Sequence, residues 1–188
     1  MRPRPALRSV FPRLLPLVWI LAAGGAAADA PPRSQVTAED WRADLTLLLE
    51  ELEAVHPDPW FHASRAEVVA EADELRERLP DLTWEESFAG LHRIVAMLRD
   101  GHTSFPLHRN EALGLRRVQV QYRLFGDELR VVRVHPDHAE VLGGRVTRIG
   151  DVDADEAIRR MAELVPADND WTVRDRLPHS LTVADLLV

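Results

Sequence analysis

The residues of this chain best placed to do chemistry are Asp100-Gly101-His102-Thr103, preceded by Leu98 and Arg99, where a long helical pattern stops and an alternating pattern begins. Asp-Gly is a turn dipeptide, since Gly tolerates positive φ and Asp bonds to the backbone ahead of it. The turn presents His102 at a junction between a helix and a strand. A rigid junction that holds an imidazole in one direction and leaves one ring edge open supplies what a general base needs. The same four residues also suit a helix-terminal histidine with a structural role.

Other reactive side chains are less well arranged. His56 and His62 flank a Trp-Phe loop, His102 and His108 flank a candidate strand, and His135 and His138 sit together. None has the i, i+4 helical pairing with an adjacent carboxylate that marks a zinc hydrolase, so the sequence calls for no metal and no cofactor. Asp151-Val152-Asp153-Ala154-Asp155-Glu156 lacks the glycine and terminal spacing of a calcium loop and reads as acids at a helix start. Ser34, Ser64, Ser87, Ser104 and Ser180 have no Gly-x-Ser-x-Gly context, although Ser104 would share a strand face with His102.

Composition narrows the function classes. An apolar fraction of 46% and a charged fraction of 29% over 188 residues are those of a globular chain with a real core. The formal charge is −8, and loss of residues 1–28 with their four arginines takes it to −12. So acidic a surface repels phosphate backbones, which excludes nucleic acid as a partner class. There is no cysteine, hence no disulfide, thiol catalyst or thiolate metal site, and every basic residue other than histidine is arginine. Arginine stays protonated, so no Ser-Lys dyad can form within these residues.

The elements that would position the motif follow from periodicity. Residues 1–28 read as a signal peptide, with Arg2, Arg4, Arg8 and Arg13, an apolar run from Leu14 to Ala23, and small residues at Ala26 and Ala28. The run is short for a membrane span; an uncleaved anchor is the alternative, and either places the rest outside the cytoplasm, in the periplasm or beyond the cell. Residues 29–36 read as a linker. Thr37-Ala38-Glu39-Asp40, Ser64-Arg65-Ala66-Glu67 and Thr83-Trp84-Glu85-Glu86 then predict three capped helices, whose apolar stripes imply a three-helix bundle over 37–101. Val118 to Leu124 and Leu129 to Val134, joined by Gly126-Asp127, predict a hairpin. Gly143-Gly144 leads into a third strand, Arg145 to Ile149, and a helix runs from about Ala154 to Leu164. A last helix is expected from Thr182, unfinished at Val188, so that residues 166–188 begin a truncated segment. The fold class is α+β.

These pieces carry a resemblance. Trp41, Leu45, Leu52, His56-Pro57 and Phe61, then Leu98-Arg99-Asp100-Gly101-His102-Thr103, then Leu142-Gly143-Gly144-Arg145-Val146 and Ile149-Gly150-Asp151-Val152 resemble the N-terminal part of tail-specific, C-terminal-processing serine peptidases of the tricorn-core-like branch. The resemblance implies a helical cap, a PDZ-like β module over 102–165 and a crotonase-like α/β catalytic domain that this chain does not contain. It further implies His102 as the base toward a serine of that domain, supported by Asp100, Gly101 and Thr103, with peptides or unfolded protein as substrate and no stable membrane anchor after signal removal. The chain departs from the family in having no recognisable carboxylate-binding loop in the β module. A second function class stays open: a non-catalytic extracytoplasmic protein that captures extended peptides by strand-edge pairing.

Cleavage after Ala28 is the direct consequence of the leader pattern. Mass spectrometry of the exported product is expected to find Asp29 as its first residue. A soluble cytoplasmic product that retains Met1 would refute the leader.

Overall fold

The computed structural model describes residues 32–105, 107 and 113–188. The leader expected over 1–28 and His108 lie outside them. The described chain is α+β, and its order is α1 (Ala38–Val55), α2 (Arg65–Arg78), α3 (Trp84–Met97), β1 (Val120–Phe125), β2 (Glu128–Val134), β3 (Arg148–Ile149), β4 (Val152–Asp153), α4 (Ala154–Ala162) and α5 (Asp170–Ser180). No helix among the described residues is long and apolar enough to cross a membrane.

The first three helices begin where their caps require. Thr37, Ser64 and Thr83 each accept a bond from the backbone N–H three residues on, and the Asp40, Glu67 and Glu86 carboxylates accept one from the N–H of the cap residue. Each box satisfies two amide donors that an open helix start would leave unpaired. The stripes expected from periodicity are buried: Trp41, Leu45, Leu48 and Leu52 on α1; Val68, Ala72 and Leu75 on α2; Phe88, Leu91, Ile94 and Val95 on α3. They do not close on themselves, because one apolar cluster joins them to Leu129, Met161, Leu177 and Leu186 from the later part of the chain.

The hairpin forms as expected, an antiparallel pair turning at Gly126-Asp127, where Gly126 has φ +59°. A shift of register between Gln121 and Tyr122 turns Tyr122 and Leu124 half-buried against the core, with Leu129 and Val131 buried opposite. The expected third strand is cut short. Gly143 to Val146 does run beside β2, with the Val131 and Val146 N–H groups donating to Gly144 and Leu129 carbonyls, but the Thr147 carbonyl is taken by the Ala154 N–H at the start of α4. Regular pairing therefore resumes only as the two-residue ladder β3–β4.

The C-terminal expectation needs correction. No helix starts at Thr182; a helix stands earlier, at α5, capped by Asn169, whose Oδ1 accepts from the Thr172 N–H, and a single 3-10 turn follows at Ala184–Leu186. Helix α5 hid because Pro178, which lacks the N–H that a last-turn residue gives to the carbonyl four residues back, reads as a helix break, and because Leu177 and Pro178 are its only buried residues. The 3-10 turn carries Asp185, fully buried, which accepts from both Arg33 terminal nitrogens at 3.0 and 2.9 Å and from the Arg116 backbone N and Nε at 2.7 Å each. Burial opposes the charge, but these donors hold the Asp185 carboxyl below the usual carboxylate range. The Arg33 guanidinium also lies 4.0 Å over the Trp84 ring.

Below this knot an aromatic row runs through the core, Trp84 on Phe88 at 4.9 Å, Phe88 on His92 at 4.7 Å and His92 on Phe105 at 4.9 Å. His92 is buried; its ring bonds the Leu164 backbone while Nε2 has no partner among the described residues. Burial pushes its pKa down to about 3. In the unfolded chain the ring takes a proton near pH 6.5, and in the folded one it does not until about pH 3. Stability from this group is therefore complete above pH 6.5 and is lost as pH falls, by up to about 1.4 kcal/mol per pH unit. Urea midpoints of the wild type and of His92→Gln, measured between pH 4 and 7, are expected to diverge on the acid side, with the variant less pH-dependent. Parallel curves would exclude His92 as the titrating group.

Candidate functional site

Helix α3 ends at Leu98, and the next residue, Arg99, takes φ +49° while its N–H donates to the Ala96 carbonyl. This corrects the expectation for the turn. The left-handed residue is Arg99, and Gly101 is needed for a different reason: the protein closes on it. Its N–H donates to Asp168 Oδ1 at 3.0 Å, and its carbonyl accepts from Arg176 at 2.7 Å, an arginine that also donates to the Pro166 carbonyl. A Cβ at this position would stand 2.6 Å from Asp168 Oδ2. The loop before α5 and α5 itself thus hold the turn from the far side.

Asp100 is the centre of the site. Its Oδ1 accepts from the His102 backbone N–H at 2.9 Å and stands 3.3 Å from His102 Nδ1. Its Oδ2 accepts from the Thr103 hydroxyl at 2.6 Å and meets His56 Nε2 at 2.9 Å. Partial burial works against ionisation, but Thr103, the His102 backbone and the two imidazoles outweigh it and hold the carboxyl far below the ordinary range. Asp100 is an anion at any physiological pH. His56, the residue that ends α1, accepts at Nδ1 from the Asp58 N–H at 3.1 Å. With Nδ1 an acceptor, the neutral ring carries its proton on Nε2 and donates it to Asp100.

The remaining ring is open. The side chain of His102 is 93% exposed, in contrast to Thr103, which is buried. Residues 102–105 form no strand, so the expected strand-face pairing of His102 with Ser104 does not arise; the chain leaves the turn to bury Phe105 against His92. Beside His102 lies a groove of about 420 Å³ with Leu52, Val55, Pro57, Phe61 and Leu98 as its apolar side, and His56, His62, Asp58, Arg99, Asp100 and Asp168 as its polar one. Phe61 projects at the rim, 75% exposed, with its ring against the His62 edge.

The four motif residues expected from sequence, Asp100, Gly101, His102 and Thr103, therefore stand together. Three of the six histidines considered for metal, His56, His62 and His102, line one groove, and His135 and His138 lie apart on an exposed 3-10 segment, each ring beside its own acid. Sequence reasoning missed Asp168 and Arg176, which hold the turn from about 70 residues away, and the role of His56 toward Asp100. No local pattern marks Asp168 or Arg176. His56 stood out as a histidine beside Pro57 and the Trp-Phe loop, with nothing local to tie it to Asp100.

Ligating atoms of Asp100, His102 and Asp168 lie within 4.8 Å of one another, close enough for a divalent ion. The donor pattern fits such an ion poorly, since both Asp100 oxygens and Asp168 Oδ1 already accept protein hydrogen bonds. The set fits an orienting carboxylate better than a ligand cage.

No protein-family model matches the chain, and no match appears among curated proteins or among solved structures.

Closure around Gly101 gives a direct test. Gly101→Ala must push Asp168 away and forfeit its bond to the turn, and it is expected to lower stability by roughly 1–2 kcal/mol. Chemical denaturation measures this, and an Ala variant as stable as the wild type would show that the close approach does not exist in solution.

Proposed function

We propose that the chain is the leading part of an exported serine-type peptidase of the tail-specific kind, in which His102 is the general base. In this reading α1, α2 and α3 are the three-helix bundle of the cap, and residues 102–165 are a PDZ-like β module that receives extended peptide. A crotonase-like domain beyond this chain brings the nucleophilic serine to His102. The serine hydroxyl passes its proton to His102 Nε2 as its oxygen attacks the peptide carbonyl, and the imidazolium then protonates the leaving amine.

The observation that carries the reading is the exposed His102 ring with its Nδ1 against the ionised Asp100 carboxylate, at the edge of a groove. Carboxylate and imidazole in that relation are the orienting half of an acyl-transfer site. The apolar side of the groove suits a peptide side chain, and the acidic surface suits a partner that is neither nucleic acid nor anionic lipid. The short hairpin followed by a small ladder and α4 is the part of the chain that would serve as the PDZ-like module. Export is supported by the Arg-rich, apolar, small-residue leader.

In a polypeptide that joins this chain to its serine-bearing domain, His102→Ala is expected to lower peptide turnover by roughly a hundredfold to a millionfold, the range from loss of a general base to loss of a triad member. Folding is expected to be unchanged, because the ring is exposed. The chain alone is expected to leave peptides uncut. Normal turnover in the Ala variant would make His102 structural, and an isolated chain that binds hydrophobic C-terminal peptides with no catalytic form would favour the peptide-capture function.

A further inference from the structure

The geometry points to Asp100, braced by His56, as the positioning pair that sets the tautomer of His102, keeping the proton on Nδ1 and the lone pair on Nε2. The inference rests on the reading of His102 as a base, and supplies what that reading needs from this chain.

Four groups meet Asp100, and three of them are its hydrogen-bond donors. The His102 backbone N–H and the Thr103 hydroxyl donate to it at 2.9 and 2.6 Å. His56 is committed as well, since the Asp58 N–H at its Nδ1 leaves only Nε2 to carry hydrogen toward Oδ2. The fourth contact, His102 Nδ1 at 3.3 Å from Oδ1, belongs to a ring whose two tautomers make that nitrogen a donor or an acceptor. Facing an anionic oxygen it must donate, because a lone pair there would meet a lone pair. His56 adds a second effect: by occupying Oδ2 together with Thr103, it keeps the carboxylate turned so that Oδ1 faces His102. The ring of His102 is otherwise exposed, and another acid near it among the described residues, Asp168, has its Oδ1 engaged by the Gly101 N–H.

The same count predicts the effect of removing the carboxylate. In Asp100→Ala the His102 Nδ1 loses the anion that it faces, and with it the acceptor that holds the proton on that side. The Nδ1–H fraction should fall and the Nε2–H fraction grow, which removes the lone pair that a serine proton would need.

The whole chain labelled with 15N in its histidines, at about pH 8.5 where free imidazoles are neutral, gives long-range 1H–15N spectra that distinguish the two nitrogens. Wild type is expected to show His102 mainly as Nδ1–H and His56 as Nε2–H. Asp100→Ala and His56→Ala are each expected to lower the Nδ1–H fraction of His102. A wild-type His102 that is mainly Nε2–H overturns the inference, as does a folded Asp100→Ala variant with an unchanged ring. Should Asp100→Ala not fold, an unchanged His102 in His56→Ala overturns it instead. No substrate is present, so a chain with the expected tautomer whose joined form loses nothing on His102→Ala would sink the peptidase reading and leave this one standing.

Discussion

One carboxylate governs the site. Asp100 lies at the end of α3, takes a bond from the residue that ends α1, and takes two more from the residues that follow it. A hydrogen bond to a charged group contributes on the order of 1.5–3 kcal/mol, and a half-buried anion left without its donors would cost comparably. Two helix ends and a turn are therefore held in one arrangement by the need to solvate a single charge. His102 is exposed because Asp100 needs only its backbone and one ring edge; the rest of the imidazole has no demand upon it.

A second charge does the same for the wider fold. Asp185 is fully buried, and its partners come from the residues before α1 and from the stretch before β1. Glu85 at the start of α3 joins the set through both Arg33 and Arg116, at 3.4 and 3.0 Å. The stacking of Arg33 on Trp84 links this knot to the aromatic row that ends at Phe105, three residues after His102. The knot and the site are thus opposite ends of one packed column along α3.

Sequence made legible whatever depends on near neighbours. Thr37, Ser64 and Thr83 announced their helices because a capping box is a contact across three residues, and Leu45, Leu48 and Leu52 announced a buried face because 3.6 residues make a turn. The hairpin followed from alternation on either side of Gly126-Asp127. The site was half legible: Asp100 to Thr103 stood out, but the reason Gly101 is glycine did not, since it depends on Asp168 and Arg176 closing in from α5 and its preceding loop. Helix α5 was hidden by Pro178 and by its scarcity of apolar positions. Arg145 to Ile149 looked like one strand because its residues favour extended backbone, yet the first turn of α4 claims a carbonyl in the middle of it.

The knot at Asp185 also makes the molecule divisible. The turn at Gly126-Asp127 is exposed, and it separates Arg33, Glu85 and Arg116 on one side from Asp185 on the other. A backbone opened there yields two fragments, one with two arginines left to share the single acid Glu85 and the other with Asp185 parted from both, and with one strand of the hairpin each. The knot and the site are therefore both shared between the two halves: Asp100 and His102 reside on the first, and the Asp168 and Arg176 that close upon their turn reside on the second.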